Sequence, residues 1–149
     1  MTVLLILGSY SSYAQANFEK LAGIIKAKSV SPEAYVIQKF KTNDIVLLGE
    51  RHIVKQNLLF VQRLIPLLYK EGIHTIGMEF GAYENQRLMD SLTTAPDFNE
   101  KLAEKMMFDY NVTWAYREYV DIARAAWTFN KTLPKSAKPF RILKIGRAS

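Results

Sequence analysis

Two carboxylates and an imidazole carry most of the chemistry this sequence offers. Glu50 and His52 flank a single residue in Leu48-Gly49-Glu50-Arg51-His52, and Glu79 stands in Met78-Glu79-Phe80. Such a set can do general acid/base work on a water, ligate a metal through oxygen and nitrogen, or pair with a cationic group. The bland alternatives are equally concrete. A glutamate at a strand end caps the next helix or pairs with Arg51 or Arg87, and a histidine after a strand serves as a hydrogen-bonded turn residue. The second histidine, His74, opens an apolar run and reads as structural.

Other chemistries are excluded by composition. The chain has no cysteine, so thiolate zinc sites, iron–sulfur clusters, disulfides and cysteine nucleophiles are absent. With two histidines in all, a histidine-rich metal site within one chain is impossible. No GxxxxGKS/T loop, GxGxxG, GxSxG or HExxH motif occurs. The net charge is +6, but its lysines and arginines are spread along the chain, so nucleic acid is not the expected partner. Tyr110, Trp114, Tyr116 and Tyr119 sit close together in sequence. They suit either a helix core or the lining of a flat ligand such as a porphyrin.

The elements that must position these groups follow from apolar periodicity. Asp44 to Gly49 reads D-I-V-L-L-G, four consecutive apolar residues closed by glycine, as in a strand buried on both faces. A long helix is predicted over Lys55 to Glu71, with a kink or break at Pro66 and a stop at Gly72. Ile73 to Phe80 reads as a second strand and Phe140 to Ile145 as a third. Helices are predicted between them over Tyr83–Leu92, Phe98–Phe108 and Thr113–Lys131. Upstream, Phe18, Leu21, Ile24 and Ile25 have helical spacing over Asn17–Lys28, and Ser31-Pro32-Glu33 is a helix start. The predicted class is α/β, a parallel sheet with flanking helices. Three strands make a narrow sheet, so an incomplete, N-terminal portion of a larger domain is expected. In parallel β–α–β units the carboxyl ends of the strands share one edge, where Glu50, His52 and Glu79 would meet.

Residues 1–16 are expected to be a signal peptide. A short apolar run, Val3 to Leu7, leads to Ala14-Gln15-Ala16, which suits signal-peptidase cleavage. That run is too short to span a bilayer, which needs about 20 residues. Residues 17–43 form an N-terminal helical segment and 44–149 the α/β part.

The ordered set Gly49, Glu50, His52, Glu79, Gln86, Trp114 and Tyr119 resembles the haem-binding uptake/Tiki superfamily, nearest its ChaN-like branch. The resemblance spans about residues 44–145. Erythromycin-esterase-like proteins resemble the chain more distantly, with one more residue between glutamate and histidine. Where ChaN-like chains often continue with D-N-P and a histidine pair, this one has Ile53-Val54-Lys55 and Asn57-Leu58. The resemblance implies export to the periplasm or cell surface and binding of haem or a related iron-containing ligand. Glu50, His52 and Glu79 would be the central polar groups, and Gly49, Arg51, Tyr83, Gln86 and Trp114 the ligand-contacting ones. Tyr83 and Tyr110 are candidate phenolate ligands if haem is the ligand. A divalent metal on His52 and Glu79 is the other cofactor option. The rival function is a hydrolase, metal-assisted or based on His52 and Glu50, and the third is an inactive fragment. The partner is in each case a small molecule; the oligomeric state is not set by the sequence.

Overall fold

The computed structural model describes residues 10–52, 54–108 and 116–146. The elements run α1 (Tyr10–Lys28), α2 (Pro32–Lys39), α3 (Lys55–Lys70), β1 (Thr75–Ala82), a 3-10 turn (Tyr83–Asn85), α4 (Gln86–Thr94), α5 (Glu100–Phe108), α6 (Arg117–Asn130) and β2 (Arg141–Gly146). β1 and β2 pair in parallel, Thr75 opposite Arg141 and Met78 opposite Lys144, with an irregularity before Ala82 meets Gly146. The protein is therefore α/β, and among the described residues it has a parallel two-stranded sheet with flanking helices.

Local signals explain where the helices begin and end. Ser31 accepts a hydrogen bond from the Ala34 amide at 3.1 Å, with Pro32 at the first helical position of α2. α3 runs through Pro66 with no break. Proline costs one ladder bond there, and burial of Leu58, Leu64, Ile65 and Leu68 on one face outweighs it. Past the end of α3, Gly72 takes φ +78°. Its amide donates to Tyr69 O and the Ile73 amide to Leu68 O, both at 3.0 Å. This paired closure is the Schellman arrangement, which favours a residue without Cβ. Gly72→Ala should lower stability by about 1 kcal/mol with the fold intact, measured by urea unfolding.

α6 is the hub of the core. Its Tyr119, Val120, Ile122, Ala123 and Ala126 are buried, and it packs on α3, α4, α5 and β2. Met78 and Phe80 of β1 belong to the same core, and Ala82 is buried. In α4, Met89 and Leu92 are buried while the adjacent Leu88 is exposed.

Two expectations are corrected. Asp44–Gly49 forms no strand: it is irregular, with Ile45 77% and Leu47 91% exposed. A strand buried on both faces needs a ladder partner and a covering layer on each side. Here β1 pairs with β2, and the sheet face carrying Gly77, Glu79 and Ile145 lies open. The apolar spacing of Phe18, Leu21, Ile24 and Ile25 does mark a helix, but these side chains are exposed rather than packed. α1 also starts earlier than predicted, at Tyr10, while residues 1–9 of the expected signal peptide lie outside the described residues.

The outer edge of β2 is occupied by a side chain. Gln86 donates to Ile142 O at 2.9 Å and accepts from the Lys144 amide at 2.9 Å. Its amide group thus makes the two bonds that a neighbouring strand would make there. Gln86 also donates to Asp90, which is paired with Arg141 at 2.8 Å. That guanidinium holds the Asp90 carboxyl below its ordinary range.

Candidate functional site

Glu50 and His52 lie on the irregular segment that enters α3. The turn is fixed by its backbone: Arg51 O accepts from the Val54 amide at 3.0 Å and from the Asn57 side chain at 3.4 Å. It holds Glu50 half-buried and leaves His52 exposed. His52 Nδ1 lies 3.5 Å from Glu50 Oε2. Its ring meets Phe80 edge-on, with centroids 5.9 Å apart. Phe80 in turn packs on the Tyr119 ring at 4.3 Å. The Tyr119 hydroxyl donates to the other Glu50 oxygen, Oε1. Acid, imidazole, phenol and an apolar ring from three parts of the chain therefore form one cluster. Glu50 is 24% exposed and His52 45%, so the cluster opens to solvent on the histidine side while Tyr119 closes it from within.

The Tyr119 hydroxyl is pushed well above its ordinary range. Burial is the main cause, followed by the hydrogen bond to Glu50 and the negative charges of Glu50 and Glu79. It is therefore a neutral donor at any physiological pH and not a phenolate ligand. Because the folded protein holds this proton more tightly than the unfolded chain, its contribution to stability is complete below about pH 10. The contribution is lost as pH rises from there through the folded value. Tyr119→Phe should cost about 1–2 kcal/mol at neutral pH. It should also flatten the loss of stability above about pH 10, read from chemical denaturation at a series of pH values.

The charge of Glu79 is felt at the Tyr119 hydroxyl. Glu79 alternates with Met78 and Phe80 along β1, so its carboxylate lies on the open face of the sheet. The remaining expected residues spread out. Arg51 and Gly49 are exposed, and a Cβ on Gly49 would meet nothing within 4 Å. Tyr83 is 58% exposed at the head of the 3-10 turn. Gln86 is engaged with the edge of β2. Trp114 and Tyr110 lie outside the described residues. His74 is structural: its ring stacks on Tyr69 at 4.5 Å, and its carbonyl accepts from the Arg141 amide at 2.8 Å.

Among the described residues no group of three or more histidine, aspartate and glutamate side chains is arranged to hold a metal ion. No described helix is long and apolar enough to cross a membrane.

A second polar feature was not expected from the sequence. Lys144 is 4% exposed, and its Nζ donates to Met106 O at 2.7 Å, near the end of α5. The lysine stem passes over Gly81, whose φ is +90°. The only sequence signal was a lysine in a position where strand alternation calls for an apolar residue.

Compared with known proteins, this chain matches no family model, no curated protein and no solved structure.

Proposed function

We propose that this chain is an exported ChaN-like protein that binds haem or a related iron-containing ligand at the cluster beside the carboxyl half of β1. The observation that carries the proposal is the meeting of His52, Glu50, Tyr119 and Phe80, although Tyr119 is 69 residues from Glu50 in sequence. The residues fit such a ligand. An imidazole whose Nδ1 faces a carboxylate is oriented and made more electron-rich as a ligand. Phe80 gives that imidazole an apolar neighbour, and Tyr116 and Tyr83 add exposed aromatic surface. In this reading His52 holds the iron, Glu50 orients His52, and the group supplies the iron chemistry when bound.

The test is a haem titration followed at the Soret band, with wild type and His52→Ala side by side. Saturable binding at micromolar haem, weakened at least tenfold in His52→Ala, is the expected result. An unshifted spectrum in wild type, or equal binding by both proteins, would overturn the assignment.

The Glu50–His52 contact favours one further reading, hydrolysis in which His52 acts as general base on water and Glu50 orients it. An esterase and peptidase screen on wild type and His52→Ala, with and without divalent metal, separates the two. Hydrolysis lost in His52→Ala supports the enzyme, and equal background rates remove it.

A further inference from the structure

We infer that Tyr119 is a positioning residue that sets the tautomer and orientation of His52 through Glu50. The inference rests on the reading that His52 is the working group of the site, but its test needs no ligand.

A carboxylate on an exposed segment normally turns freely between rotamers. Glu50 does not have that freedom. One oxygen, Oε1, accepts from the Tyr119 hydroxyl, and the other, Oε2, stands 3.5 Å from His52 Nδ1. The anchor at the far end is rigid: Tyr119 is 1% exposed, sits in α6 and packs on Phe80. Its phenol keeps its proton, so the direction of the bond is fixed, with Tyr119 donating and Glu50 accepting. A carboxylate held this way can only accept from His52, which places the proton of the neutral imidazole on Nδ1. Nε2 then carries the lone pair that a metal or a water proton meets. Phe80 makes contact with both rings, at 5.9 Å for His52 and 4.3 Å for Tyr119, and so keeps the two ends of the relay in register. Removing the hydroxyl should leave Glu50 in place but free to rotate, and His52 would lose its preferred tautomer without losing its neighbours.

The readout is the imidazole nitrogen spectrum of the full chain, followed as pH is raised and read on its alkaline plateau. The chain has two histidines, so His74→Gln isolates the His52 signals. Wild type should show Nδ1–H as the major form. Glu50→Ala should reduce it to the ratio of a solvated histidine, and Tyr119→Phe should move it most of the way to that ratio. Tyr119→Phe keeps the ring against Phe80, and near-ultraviolet circular dichroism of each variant checks that the core is intact. A wild-type ratio in a folded Tyr119→Phe overturns the inference, as does a major Nε2–H form in wild type. If Tyr119→Phe is not folded in buffer, it is refolded in a stabilising osmolyte such as sucrose, with wild type in the same solution, and is judged by the same ratio. If haem binding fails while the tautomer responds, the ligand assignment falls and the relay stands. If haem binds through His52 while the ratio is unmoved, the relay falls and the ligand assignment stands.

Discussion

Replacing Gly81 with alanine should cost on the order of 3–5 kcal/mol of folding stability, the largest effect expected of any single methyl group in this chain. Two penalties combine. At φ +90° an L side chain is strained whatever surrounds it. In addition, the new Cβ would stand 2.1 Å from Lys144 Nζ and 2.8 Å from Met106 O. The lysine end can swing away only by giving up its hydrogen bond to Met106 O, and the backbone oxygen cannot move without shifting α5. Lys144→Ala should relieve the first clash and leave both the second clash and the strain. The double variant should therefore be less destabilised than the sum of the singles, a coupling that a double-mutant cycle in guanidinium reads directly. Strict additivity would show that Gly81 and Lys144 do not constrain each other.

Asn130→Ala should cost about 3 kcal/mol, or roughly 6–12 °C in melting temperature for a chain of this size. The Asn130 amide nitrogen donates to Thr93 O and to Phe140 O, each at 3.0 Å, and its oxygen accepts from the Phe140 amide at 2.7 Å. One side chain at the end of α6 thereby fastens α4 and the approach to β2. Phe140 is fully buried, so its backbone groups have no water to replace the lost partner. Thermal unfolding of Asn130→Ala against Asn130→Asp tests the reason. Aspartate keeps the acceptor for the Phe140 amide and loses both donors, leaving two carbonyls facing a carboxylate. It should be at least as destabilising as alanine. A loss under 1 kcal/mol in the alanine variant would contradict this account.

The fold was legible in the sequence where a local cause was sufficient. Ser31-Pro32 and Gly72 mark helix ends by their own backbone chemistry, and both behave as expected. β1 and β2 were recognisable from their apolar patterns within two residues of their ends. The Asp44–Gly49 segment misled because an apolar run looks the same whether or not a ladder partner and covering layers exist. Likewise the stripe on α1 specifies a helix but not a surface for it to meet. At the site, the Glu50–His52 spacing was readable because both groups are on one turn. Tyr119 could be placed among the aromatics, but its bond to Glu50 depends on where α6 crosses the segment before α3. Glu79 was expected in the same pocket; it is exposed on β1, and its charge is felt at the Tyr119 hydroxyl. Lys144, Gly81 and Met106 meet across three elements, and no pairwise spacing announces that contact.

Gln86 gives the sheet a direction. An exposed strand edge is a template for unintended pairing, and proteins blunt it in various ways. Here the amide of one glutamine occupies Ile142 O and the Lys144 amide, so an incoming backbone finds that stretch of β2 already satisfied. Any additional strand, whether from this chain or from another, must join beside β1, and self-association through the β2 rim would first have to dislodge a side chain tied to Asp90.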